Sequence, residues 1–297
     1  MNKLLSFFCL IAVLGVCSSV VLPKKSAPVA VQGFRKLRNA LDKVQTAKKN
    51  KLPVPVVPQR QIIFPAPSLP QTKAGYNFAI DLQNSASVSA LQCIYNQGYD
   101  TIFAQIYSPV NGGSVNRAGC QDVINAYTAN LGTEVYVTPN PTSSKAGYQQ
   151  FDEAYNAMTN SGINIRSIWL QVTGPINWPN SINSNVNFIQ SFIQRAQQYG
   201  VTPGIYTNWY DWQQITGAYV GFANSARLWY WHALGQGPNA EDVAAFDDFR
   251  TFGGWTKPNV KQFALNEALC GVTLNRNVYP IGTKSAKLSK PTVGGFV

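Results

Sequence analysis

The chain has 297 residues, 45% of them hydrophobic, with 24 Lys and Arg against 13 Asp and Glu and one histidine. The formal charge of +11 is unevenly placed: residues 22–75 hold 11 Lys/Arg and one acid, Asp42, whereas residues 76–281 hold 9 basic and 12 acidic residues. The basic run is therefore separate from the aromatic-rich stretch, which argues against nucleic-acid binding. One histidine and no C-x-x-C pair leave too few ligands for a metal site.

In chain order, Lys3, the apolar run Leu4–Val16 and the small residues Ser18 and Ser19 have the layout of a secretory signal peptide over residues 1–18. The run is too short for a spanning helix, which needs about 20 apolar residues, and no later segment reaches that length. A secreted, extracellular protein is expected, or one in the lumen of secretory or lysosomal vesicles, with no membrane span. Residues 19–73 read as a flexible basic arm. Six prolines (Pro53, Pro55, Pro58, Pro65, Pro67 and Pro70) favour extended backbone. Within it, Phe34, Leu37, Leu41 and Val44 recur at helical spacing. Such a run is more often a solvated linker or propeptide than a device for anionic membranes or walls.

Cys9 and Cys17 leave with the signal peptide, so Cys93, Cys120 and Cys270 can form one disulfide and leave one thiol. Cys93 and Cys120 are closest in sequence and are the expected pair, with Cys270 a buried free thiol.

Residues 74–281 read as one α/β domain. Apolar strands are predicted at 76–82, 101–107, 134–138, 166–172, 201–207, 226–234, 260–264 and 272–274. Helices are predicted near 87–97, 120–130, 147–161 and 183–199. Gly98, Gly132, Gly162 and Gly200 sit where a helix end favours a left-handed residue. The alternation argues for parallel strands with crossover helices. Eight strands, without a G-x-G-x-x-G or phosphate loop, argue for a single TIM-like barrel over an open sheet. After the fifth strand the helices shrink. Residues 282–297, with Lys284, Lys287 and Lys290, read as a basic flexible tail.

Chemistry in such barrels sits at the C-terminal ends of the strands. Those ends carry Asp81 and Gln83, Gln105 and Tyr107, Tyr136 and Thr138, Gln171 and Thr173, Tyr206 and Asn208, Tyr230 and His232, Gln262 and Asn275, with Trp178, Trp209, Tyr210, Trp231 and Trp255 close by. Amides, hydroxyls and flat rings suit a carbohydrate, whose hydroxyls need donors and acceptors and whose faces stack on aromatics. Trp169, Trp229 and Trp231 are each better read as core packing. A Ser-His-Asp hydrolase would depend on His232 and lacks the G-x-S-x-G that positions its serine. His232 reads better as a hydrogen-bonded barrel residue.

Six segments in order carry a resemblance: FAIDLQ (78–83), IWLQVTGP (168–175) with Trp178, GIYTNWYDW (204–212), LWYWHALG (228–235), FGGWTKPNVKQF (252–263) and CGVTLNRNVY (270–279). Together they resemble the family 25 glycoside hydrolases, most closely the protist- and nematode-type lysozymes. The resemblance implies a barrel of five β/α units followed by three strands, and a secreted muramidase that cuts peptidoglycan after N-acetylmuramic acid, in defence against bacteria or their digestion. It implies no cofactor, and a monomer is expected.

Of the carboxylates that the resemblance implies only Asp81 remains, as a possible catalytic residue, and the strand-end set gives Gln83, Tyr107, Tyr136, Gln171, Thr173, Trp178, Tyr206, Asn208 and Asn275 as candidate substrate contacts. The family's D-x-E, whose Glu is the catalytic acid, falls on Gln171 and Thr173, and another family aspartate falls on Asn275. Glycoside hydrolysis needs one carboxyl to protonate the leaving oxygen and a second group to stabilise or attack the anomeric carbon. Two functions follow, a lysozyme acting on peptidoglycan or a non-catalytic glycan-binding pseudoenzyme. Of the other acids, Asp211 is expected to cap the helix before Trp212, and the Asp247–Asp248 pair is a candidate to reach the mouth from a loop.

Overall fold

The computed structural model describes residues 63–70, 75–282 and 289–297, all within one compact unit spanning 61–297. The expected signal peptide and most of the arm lie outside the described residues. The strands are β1 (Phe64–Pro65), β2 (Tyr76–Leu82), β3 (Tyr99–Ser108), β4 (Ser114–Val115), β5 (Gly132–Val137), β6 (Asn164–Ile165), β7 (Ser167–Gln171), β8 (Thr202–Thr207), β9 (Arg227–Trp231), β10 (Val260–Leu269), β11 (Val272–Pro280) and β12 (Thr292–Val293). The α-helices are α1 (Val88–Asn96), α2 (Arg117–Thr128), α3 (Gly147–Asn160), α4 (Ile182–Gln198) and α5 (Trp209–Thr216).

Strands β2, β3, β5, β7, β8, β9 and β10 pair in parallel in that order, and β11 runs antiparallel between β10 and β2 to close the ring. Five strands are each followed by a helix, and the last three are not, as the sequence predicts. No helix among the described residues is long and apolar enough to cross a membrane.

The elements follow from local chemistry. In α4, Ile189, Phe192, Ile193 and Ala196 recur three or four apart and are buried against the barrel. Ser181 caps this helix, its hydroxyl accepting from Ser184 N at 3.4 Å. Gly98, Gly162 and Gly200 end α1, α3 and α4 with positive φ, but after α2 the left-handed position belongs to Asn130 (φ 64°), not Gly132. The central strand β3 is buried on both faces, as a parallel strand under helices must be.

Inside the ring, Phe103, Tyr136, Trp169, Tyr206 and Trp229 fill the barrel. Tyr206 stacks on Trp229 with centroids 4.0 Å apart. Gly204 leaves room for the Trp169 indole, since a Cβ there would lie 2.1 Å from that ring. Trp169 and Trp229 are thus core residues, as expected.

Three expectations are corrected. The disulfide joins Cys93 to Cys270, with Cα atoms 5.9 Å apart, and Cys120 is the buried free thiol. Because β11 lies beside β2, the β10–β11 turn comes to rest near α1, whereas Cys120 faces inward from α2. Next, residues 63–70 are seated on the barrel. Phe64 and Pro65 pair with Glu267 and Ala268, Ala66 N donates to Ala268 O at 2.8 Å, and Leu69 packs on the core. Finally, residues 289–297 are docked: β12 pairs with β6, Gly294 N donates to Thr133 O, and Arg227 Nη1 donates to Val297 O at 2.6 Å.

Candidate functional site

Alternate residues of a strand face the same side, so parity selects which strand-end side chains enter the barrel. Asp81 does, and is 2% exposed. Its Oδ1 accepts from Gln262 Nε2 at 2.7 Å and Asn277 Nδ2 at 2.8 Å, and its Oδ2 accepts from Asn275 Nδ2 at 2.8 Å. Gln262 in turn accepts from the Tyr206 hydroxyl at 2.8 Å, and Asn277 Oδ1 accepts from Trp229 Nε1 at 2.9 Å. Burial pushes the Asp81 pKa up, and the three amide donors pull against it without cancelling it. Burial and then the Asp81 charge raise the phenols of Tyr136 and Tyr206. Asp81 is thus caged by groups that cannot relay a proton.

A second chain of hydrogen bonds occupies the ends of β3, β5 and β7. Gln105 Nε2 donates to Thr138 Oγ1 at 2.7 Å, Thr138 Oγ1 to Gln171 Oε1 at 2.6 Å, and Gln171 Nε2 to Thr173 Oγ1 at 3.0 Å. Trp178 Nε1 donates to Thr173 O at 3.2 Å, and the indole meets Phe188 edge-on. Above this chain lies a cleft of about 340 Å³ walled by Pro109, Pro139, Pro141 and Ile176. No member of the chain ionises near neutral pH.

The structure brings Asp81, Gln83, Tyr136, Tyr206, Asn275, Gln171, Thr173 and Trp178 to the strand-end face. The Gln83 side chain bonds Tyr136, and Asn275 bonds Asp81. Asn208 lies there too, but its side chain caps α5, accepting from Asp211 N at 2.7 Å.

Tyr107 does not join them. A register shift between Gln105 and Tyr107 turns its ring outward, and its hydroxyl donates to Glu153 of α3 at 2.7 Å. Trp255 is buried beneath, its Nε1 bonded to Ala226 O. Asn208, not Asp211, caps α5. The buried Asp211 carboxylate instead accepts from Trp231 Nε1 at 3.1 Å and from Gly174 N, and burial raises its pKa.

Asp242 and Asp248 are engaged on the outer side of β9 and β10. Lys261 is fully buried, and its Nζ donates to Asp242 and Asp248, each at 2.7 Å. Asp248 also accepts from Tyr230 OH at 2.6 Å, and His232 Nδ1 lies 2.6 Å from Asp242. His232 is therefore a half-exposed member of an outer polar cluster. Burial alone would raise Asp242, but hydrogen bonds from Lys261 and His232 outweigh it and hold that carboxyl well below the ordinary range. His232, Asp242 and Asp248 are grouped closely enough for a metal, yet the Lys261 ammonium already occupies one oxygen of each carboxylate and offsets half their charge, so this set does not suit a divalent cation.

Asn277 and Lys261 escaped the sequence reading. The N-x-N spacing of Asn275 and Asn277 on one strand face, and a lysine inside an apolar strand, were the signals available.

The family model described as Lysozyme-like protein 1 (Lys-1) matches residues 72–263. Lysozyme-like protein 7 of Caenorhabditis elegans is 46% identical over 82% of this chain and 87% of its own length. Probable GH family 25 lysozyme 2 of Dictyostelium discoideum is 30% identical over 68% of this chain and 90% of its own. A muramidase from Trichobolus zukalii shares the fold, with a TM-score of 0.53 over 70% of this chain and 95% of its own, at 20% identity. With this barrel and these relatives, the chain belongs to the lysozyme-like proteins of the glycoside hydrolase family 25 type.

Proposed function

We propose that the barrel is a secreted, peptidoglycan-directed domain that binds the amino-sugar chain across its strand ends, in defence against bacteria or their digestion, and that family-type acid catalysis is absent or severely reduced. The carrying observation is the end of β7. The two positions where the family has its acids hold an amide and a hydroxyl, Gln171 and Thr173, committed to one hydrogen-bonded chain. Asp81 faces three amides with both oxygens engaged. It cannot serve as proton donor and as anionic stabiliser together, since one role needs its proton on and the other needs it off. Amides, hydroxyls and the Trp178 edge suit sugar hydroxyls and acetamido groups. The lysozyme names of the relatives support wall glycan as the ligand, and the leader-like N-terminus supports export.

The test is binding and turbidity clearing by the purified protein. The parent should bind a soluble peptidoglycan fragment at millimolar concentration or below and leave walls turbid. Gln171→Asp with Thr173→Glu should gain clearing, because general acid catalysis contributes a factor of about 10² to 10⁴. A parent that clears walls at ordinary lysozyme rates would refute the loss of catalysis. A parent that binds no fragment would refute the glycan reading.

A further inference from the structure

Between β9 and β10 no α-helix returns the chain. Residues 232–259 instead fold over the outer side of these strands, held by the buried Lys261 through Asp242, Asp248 and the Val243 carbonyl. Between this stretch and the first turn of α5 opens a cleft of about 800 Å³, larger than the one above Gln171 and Thr173.

Two large aromatic side chains adjacent in sequence, Trp209 and Tyr210, line it, and each is 57% exposed. Trp231, His232, Arg250 and Thr251 line the same cleft and supply polar atoms beside the two rings. Leaving two large rings in water forgoes the burial that aromatics favour. Rings beside donors and acceptors match a pyranose, which has an apolar face and a polar rim. The His232 ring is oriented by Asp242 at Nδ1, which leaves Nε2 available.

The cleft is physically joined to the mouth. The Asp211 carboxylate holds both the Trp231 indole, which lines the cleft, and the backbone of Gly174, the residue after Thr173.

We propose that this cleft is a second sugar-stacking subsite, taking N-acetylated amino-sugar units of the same chain beyond those held above Gln171 and Thr173; this rests on the glycan reading above. It extends the bound chain from a short fragment to a longer one and makes affinity depend on chain length.

The experiment compares peptide-free peptidoglycan glycan strands of two and six sugars by calorimetry. The parent should hold six sugars more tightly than two. Trp209→Ala and Tyr210→Ala should each weaken the six-sugar strand about fivefold to tenfold, leave the two-sugar fragment unchanged, and retain the parent's circular dichroism. Trp209→Phe should restore most of the affinity. If the parent binds both strands and neither alanine variant changes the six-sugar affinity, the subsite is refuted while the glycan reading stands. If the parent binds neither strand nor fragment, the glycan reading fails and the subsite with it. If Trp209→Ala dissolves a dimer without changing sugar affinity, the cleft belongs to a second copy of the chain and the proposal is overturned.

Discussion

Replacing Glu267 with glutamine should flatten the dependence of stability on pH above neutrality's acid side. Glu267 is fully buried, and neither of its oxygens accepts a hydrogen bond. Arg276 lies 3.7 Å away but is engaged by Glu241, by Tyr99 OH at 2.8 Å and by Ser68 O at 3.4 Å. One guanidinium thus faces two carboxylates in a dry site. Burial, and then the Glu241 charge, push the Glu267 carboxyl from 4.5 to about 8. The native state therefore keeps a proton that the unfolded chain releases above 4.5, so this contribution is full below 4.5 and is lost as pH rises toward 8. One proton corresponds to about 1.4 kcal/mol per pH unit. From pH 5.5 to 7.5 the parent-minus-variant stability should fall by about 2.5 kcal/mol, or about 5–10 °C in Tm for a fold of this size. Glu267→Gln keeps the shape and removes the titration. Thermal or urea unfolding of parent and variant across that range isolates the effect, because Asp122, raised by burial to about 6, titrates in both. Glu241→Gln should free Arg276 for Glu267 and shrink the slope. A parent-minus-variant difference that stays constant from pH 5.5 to 7.5 would refute the reasoning.

Two further outcomes are expected. Replacing Cys93 and Cys270 together with serine removes a link spanning 177 residues and should lower stability by about 5 kcal/mol, read as the urea midpoint at unchanged slope; in the same experiment the native Cys120 thiol, buried and raised in pKa chiefly by burial, should resist iodoacetamide. Hydrogen exchange should show the amides of Ala66 and Gly294 protected, since both donate to barrel carbonyls, and exchange at the rate of an open chain would show that residues 63–70 and 289–297 are not held.

The first five strands of the ring were legible because each is an apolar run set between helices, and burial between helices and barrel interior demands such runs. The late hairpin was read short: β10 continues to Leu269 and β11 to Pro280, through polar residues such as Asn266 and Glu267 that period-based reading rejects. The face of a side chain was legible only where the strand is regular. Asp81, Tyr136 and Tyr206 follow parity, and Tyr107 does not, because one irregular position after Gln105 inverts everything beyond it. Cysteine pairing depends on which strands close the ring, and sequence proximity carries no such information: Cys270 reaches Cys93 because β11 returns beside β2. Charge and proline also concealed the docked ends. Leu69, Val293 and Phe296 are apolar residues within basic or proline-rich surroundings, and these few side chains, with the backbone pairing of Phe64–Pro65 and Thr292–Val293, seat the segments.

The retained carboxylate at the mouth has a role that does not require catalysis. Asp81 lies on the first strand of the ring, and its three donors lie on the last two, so one buried carboxyl group ties the closure of the barrel together. Removing a buried acceptor leaves donors unpaired, at a cost of about 1–3 kcal/mol per group. In Asp81→Asn the new amide can present its oxygen to two of the three donors, and its own N–H groups then confront the third. Both a catalytic and a structural account predict lost function in that variant, but only the structural account predicts an accompanying fall in Tm and weaker protection of β10 and β11. Gln171 and Thr173 carry no such duty, because their strand, β7, sits on the opposite arc of the ring between β5 and β8. Substitution at 171 or 173 should therefore spare the fold, whereas loss of Asp81 would loosen the seam on which the strand-end surface is built.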